Sequence, residues 1–184
     1  MMEKISNATF LLNYQPDLSR GYILAHEREM IDKEFADLAE QQEQIVREKK
    51  EVAEQSGDSW HDGAFRATDV AANSLGNQAA ALLISRSSIV VEHPFSDEKR
   101  VSIGSVVKIQ QGRDEYWLAI VGIATLYPSN FETELCSVKA PLAQAIIGKT
   151  VGESASVMLN GEFQSLKILE INQENKSITN GRLD

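Results

Sequence analysis

The chain has 184 residues, enough for one domain of ordinary size or two small ones, and an apolar content of 42% that calls for a real core. Its net charge of −9 argues against broad binding to nucleic acid, because neutralising phosphates needs a basic surface. A single cysteine, Cys136, excludes an internal disulfide framework and fits a reducing compartment, so a cytoplasmic location is expected.

No apolar run approaches the roughly 18 residues of a membrane span. Positions 1–13 carry a short apolar cluster but lack the basic start and cleavage site of a signal peptide. Positions 1–15 carry no further signal. Pro16 and Asp17 then mark a helix start, with Asp17 or Ser19 as cap. From there Leu24, Ile31, Leu38, Ile45 and Val52 recur every seven residues, one core position of a heptad held for five repeats. The second core position is poorly filled, by Arg28, Phe35, Gln42 and Lys49. The spacing therefore predicts a helix over 18–55 that buries one thin edge against one partner.

A polar turn follows at 56–63, SGDSWHDG. Beyond it Phe65, Thr68, Ala72, Leu75, Ala79, Leu82 and Ile89 fall at three- and four-residue steps, broken once at Arg86. This predicts a return helix over 64–90, with Gly76 costing roughly 1 kcal/mol in its interior. A connection of only about eight residues makes the two helices antiparallel neighbours. A linker is expected at 93–97, where Pro94 and small polar residues stop the helix.

After the linker the period becomes alternating. Strands are expected over 102–109 and 116–123 around a turn at 111–114, then over 134–138. Pro141 at a first-turn position and Gly148 as C-cap delimit a short helix. A last hairpin, 154–159 and 163–171, is joined by Asn160-Gly161, the strongest short hairpin signal in the chain. The tail 172–184 is polar. The expected class is thus α+β: an antiparallel coiled-coil hairpin over 1–92, its tip at 56–63, followed by a small strand-rich domain over 93–184.

Enzyme motifs are scarce, with no phosphate-binding glycine loop, zinc-spaced Cys/His set or nucleophile elbow. His26 reads as a solvated helix residue and Cys136 as a small buried hydrophobe. Gly57 suits the stop of the first helix, and Ser59 with Asp62 resembles a capping box for the second. Capping leaves Asp58, a second carboxylate, and Trp60, a large apolar side chain at a wet position, unexplained. Carboxylate oxygens are the ligands magnesium prefers, and one or two suffice when phosphate and water fill the other positions. Beside a metal and a phosphate fixed by another protein, such a pair would complete a two-metal phosphodiester site.

From about position 18 to 171 the sequence resembles the Gre family of bacterial transcript-cleavage factors. The most specific segments are VSIGSVVKI at 101–109, a strand ending AIVG at 122, and SVKAPLAQAIIGKTVGE at 137–153. The tip GDSWHDGAF is similar to the family's Gly-Asp…Tyr turn. The resemblance implies a coiled coil inserted through the secondary channel of RNA polymerase and an FKBP-like C-terminal domain docked at the channel rim. It also implies tip acids that hold the second magnesium ion for hydrolysis of backtracked RNA.

In this picture the polymerase does the chemistry and meets the nascent RNA 3′ end. The factor is no enzyme, has no small-molecule substrate or membrane partner, and shares its magnesium with the polymerase instead of carrying it when free. Asp58 matches the first tip acid. The second, a glutamate, falls on His61, with Asp62 next. A neutral imidazole is a poor magnesium ligand, so cleavage stimulation requires Asp62, the other candidate ligand, to take over the second metal contact. His61 remains as a proton carrier or phosphate contact, and Trp60 as an apolar wedge. In the docking segment the family's Ser-Pro step becomes Ala140-Pro141, while Ser137, Leu142 and Gly148 still fit.

The alternative is a regulator that occupies the channel without promoting cleavage, which His61 favours. A peptidyl-prolyl isomerase is a third reading, weakened because Tyr116, Trp117, Tyr127, Phe131 and Phe163 are too scattered to promise a pocket.

Overall fold

Alternation and heptad spacing translate into two kinds of architecture in the computed structural model, which describes residues 4–6, 9–11, 14, 21–56, 63–92, 99–127 and 133–172. By compactness the chain divides into residues 29–87 and a second unit formed by 1–28 together with 88–184. The strands flanking the hairpin are thereby grouped with the C-terminal domain, a different division from one drawn at the linker. The linker residues 93–97, and Pro16, Asp17 and Ser19 at the expected first helix start, lie outside the described residues.

The described residues of this first unit are helical over 29–56 and 63–86. Helix α1 (Ala25–Ser56) begins in the neighbouring unit and runs 32 residues, about 48 Å at 1.5 Å per residue, and α2 (Gly63–Arg86) returns. From Ile31 to Lys49 on α1 and from Ala72 to Leu82 on α2 the observed seam follows the expected one. Ile31 and Leu38 are buried, and Phe35, Ile45 and Lys49 are half-buried. From α2, Ala72, Leu75, Ala79 and Leu82 are half-buried. Arg86, which breaks the apolar pattern, fills its seam position by laying its guanidinium 5.0 Å from the centre of the Phe35 ring and pairing with Asp32 at 3.0 Å. Nearer the turn, Lys49 pairs with Asp69 across the two helices.

Two helix boundaries differ from expectation. Leu24 satisfies the heptad but belongs to a strand, β2 (Tyr22–Leu24), and α1 starts only at Ala25. Ile89 likewise falls in β3 (Ile89–Glu92) instead of extending α2. These strands and β1 (Lys4–Ser6) form a three-stranded parallel sheet in the order β1-β3-β2, so the N-terminal residues, silent as sequence, are structural. The burial of Tyr22, Ile23 and Leu24 explains the false heptad signal: a completely buried strand puts an apolar residue at every position, including the periodic one.

The C-terminal sheet contains β4 (Val106–Gln111), β5 (Asp114–Val121), β6 (Glu134–Ser137), β7 (Ser154–Leu159) and β8 (Glu162–Asn172) in the order β6-β5-β4-β8-β7. All pairings are antiparallel except β5 with β6. Alternate residues Val107, Ile109, Leu118, Ile120, Leu166 and Ile168 enter one core, closed by Ala143 and Ile146 of α3 (Pro141–Ile146). At the tip of β7–β8, Asn160 and Gly161 both take positive φ, 52° and 86°, which is the conformation an Asn-Gly hairpin turn requires. The architecture is α+β, and no helix among the described residues is long and apolar enough to cross a membrane.

Candidate functional site

The tip residues Asp58, Trp60, His61 and Asp62 lie outside the described residues. Two ion pairs link the helices on either side of them. Asp32 pairs with Arg86 and Lys49 with Asp69, and both pairs are centred on position 59. The two helices are therefore antiparallel neighbours along their described lengths. Residues 57–62 are all that separates the helix ends.

The second group of expected site residues sits around α3. Pro141 occupies the first turn of α3 and is exposed. Leu142 is half-buried and packs against the main core. Ser137 is engaged internally, its hydroxyl donating to the Gly122 carbonyl at 2.9 Å and accepting from the Lys139 N–H at 3.4 Å. Gly148 stops the segment with φ of 81°, donates its N–H to the Val101 carbonyl at 2.8 Å and accepts from Arg100 Nη1 at 3.0 Å. The structure thus brings all four into one segment and divides their work: Ser137 and Gly148 hold its ends, while Pro141 faces solvent. Cys136 is buried, and burial pushes its thiol pKa up, in keeping with a core role.

Sequence reasoning passed over one charged group. Glu27 is the third residue of α1 and is completely buried. Its carboxylate accepts from the N–H groups of Leu24 (2.7 Å), Gly122 (2.9 and 3.1 Å) and Ile123 (2.9 Å), and from the Tyr127 hydroxyl (3.2 Å). His26 Nε2 lies 2.7 Å from that hydroxyl, so His26 is half-buried and partnered, not solvated as its helical setting suggests. Burial pushes the Glu27 carboxyl up to about 7 even though its four donors pull the other way. The same burial, with Glu27 alongside, raises the Tyr127 hydroxyl far above its ordinary value. Gly122 makes the clasp possible: a Cβ there would sit 2.5 Å from both Glu27 Oε2 and the Tyr22 carbonyl oxygen. An acid in a first helical turn ordinarily faces water and the helix dipole, so nothing local marks Glu27 as a clasp.

The described residues define an α+β protein with two antiparallel helices and a strand-rich domain that carries a short exposed-proline segment. Residues 96–173 match the family model for the C-terminal domain of the transcription elongation factors GreA and GreB. The chain is 29% identical over 156 residues to "Transcription elongation factor GreA" of Shouchella clausii (strain KSM-K16), an alignment spanning 83% of this chain and 96% of that one. The C-terminal part of the chain thus matches the GreA/GreB C-terminal domain, and over most of its length the chain is similar to a transcription elongation factor.

Among solved structures it is similar to GreA factor homolog 1 (Gfh1) of Thermus thermophilus, with 15% identity, TM-score 0.38, and 83% of this chain and 99% of that one covered. It is also similar to a GreA/GreB factor from Nitrosomonas europaea, with 16% identity, TM-score 0.34, and 83% and 98% covered.

Proposed function

We propose that this elongation factor binds RNA polymerase, enters its secondary channel hairpin-first, and stimulates the polymerase's own cleavage of backtracked RNA. The observation that carries this reading is the helix register, in which two cross-helix ion pairs share a centre at position 59 and so support a turn flanked by Asp58 and Asp62. Those two carboxylates would hold the magnesium ion, which supplies Lewis-acid stabilisation of the charge that builds on the scissile phosphate. Asp58 and Asp62 would orient that ion, His61 would carry a proton or contact the RNA phosphate, and Trp60 would act as an apolar wedge.

The test is a stalled, backtracked elongation complex. The wild-type chain should accelerate RNA hydrolysis. Asp58→Ala should lower the acceleration by about 100-fold, the usual size of losing one preorganised electrostatic group, while leaving polymerase binding intact. Binding without any acceleration, unchanged by Asp58→Ala or Asp62→Ala, would remove the metal role.

The second reading is a channel-occupying regulator, favoured by His61 standing at a position where a carboxylate serves the metal. Competition against an active cleavage factor separates the two. A pure occupant suppresses that factor's cleavage, whereas a true cleavage factor adds to it.

A further inference from the structure

The three-stranded sheet and its aromatic cluster reach the segment proposed to dock. We infer that the N-terminal residues up to Tyr14 act as an internal buttress for the 137–148 segment, setting its position and hence the affinity for RNA polymerase without touching the polymerase. This rests on the reading that 137–148 is the docking segment.

Among the described N-terminal residues, Lys4–Ser6, Phe10 and Tyr14 all enter the fold. They are firmly seated. β1 pairs in parallel with β3, Lys4 with Val90 through Ser6 with Glu92. Phe10 is completely buried, with ring centres 5.1 Å from Tyr14 and 4.9 Å from Tyr22.

The cluster they complete contains Val138, with Ile147 packed against it. Val138 follows Ser137 and Ile147 precedes Gly148, so the cluster that the N-terminal residues complete reaches both ends of the segment. At the first end the support is also polar, since the Tyr14 hydroxyl donates to the Val138 carbonyl at 2.7 Å. Burial, followed by the neighbouring Tyr22, pushes that hydroxyl up to about 12, so it stays a donor at any working pH. Val138 is held from its other side by its N–H, which donates to the Val121 carbonyl at 2.6 Å.

The contacts fall on buried Val138 and half-buried Ile147, whereas Lys139 and Pro141 remain exposed. A mask would cover those two. A buttress leaves them free, and its loss should weaken binding instead of strengthening it.

Tyr14→Phe in the full chain is the test, because it removes one hydrogen bond and keeps the ring that seals the cluster. Two readouts are needed. Hydrogen exchange of the free protein should show the Ala140, Gln144 and Ile147 amides exchanging about threefold to tenfold faster, the effect of losing one hydrogen bond, with the β7–β8 amides unchanged. Affinity for RNA polymerase should fall by a similar factor. Pro141→Glu serves as the control for the docking reading.

Unchanged exchange overturns the proposal, as does tighter binding by the variant. Faster exchange with unchanged affinity, while Pro141→Glu weakens binding, overturns the buttress and keeps the docking reading. If neither variant alters affinity, the docking reading fails and the buttress falls with it. A variant lacking residues 1–15, in which polymerase affinity falls at least as far as in Tyr14→Phe while α1 and α2 keep their helical signal, is the stronger confirmation.

Discussion

Along α1 the seam buries Ile31 and Leu38 and then thins to half-buried Ile45 and Lys49, with ion pairs to α2 at Asp32 and Lys49. In the C-terminal sheet, by contrast, five strands and α3 enclose one continuous cluster from Val101 to Ile168 with no charged member. The hairpin draws its order from hydrogen bonds within each helix, which are local and need few buried side chains. The sheet depends on side chains brought together from distant positions. A rod can therefore keep most of its surface polar and still hold a turn at its end, while the sheet unit must spend its apolar residues on itself.

The largest consequence concerns core truncation. Leu166 is completely buried in the sheet cluster, so Leu166→Ala should cost about 3 kcal/mol through lost burial and the cavity left behind. Leu75 is only half-buried in the seam, and Leu75→Ala should cost about 1 kcal/mol. Urea unfolding of the two variants measures both. Equal losses would mean the hairpin depends on side-chain packing as heavily as the sheet does, and the contrast would fail.

The next test falls on the charged group that the sheet-rich unit buries. Glu27 has a folded pKa of about 7 against an ordinary carboxyl value of 4.5. Between those values the native state binds more protons than the unfolded chain. The Glu27 contribution is therefore fully present below about pH 4.5 and is lost as pH rises towards about 7, on the order of 2–3 kcal/mol across the window. Urea unfolding at several pH values should show a steeper decline for the wild type than for Glu27→Gln, which cannot titrate. Parallel curves would show that the four donors hold Glu27 at its ordinary pKa.

What could be read in the sequence follows the same division. The seam of α1 and α2 was legible because a seven-residue period is a local property, and Asn160-Gly161 announced its hairpin because a two-residue turn is local too. Leu24 and Ile89 misled because each sits on the heptad yet belongs to a parallel sheet whose pairing, Tyr22 with Ile89, joins residues far apart in the chain. Tyr14 with Val138 and Glu27 with Gly122 are likewise contacts of long sequence separation, and no pattern within either segment foretells them. At the tip, Asp58 and Asp62 stand out by chemistry alone, and both lie outside the described residues.

The smallest effect bears on whether the rod's backbone is tuned for stiffness. Gly76 lies in the interior of α2, is exposed, and a Cβ built on it would meet nothing within 4 Å. Its φ is not in the left-handed region, so no conformational need requires glycine there. Gly76→Ala should then stabilise the hairpin by roughly 1 kcal/mol, because alanine loses less backbone freedom on folding. Thermal unfolding followed at a helical wavelength measures the gain. If stability rises and cleavage stimulation is unchanged, the glycine is incidental to the arm. If stability rises while stimulation falls, α2 is soft at Gly76 because delivering the tip requires a bend there, and the rod's sparse seam is then a feature of its function as well as of its stability.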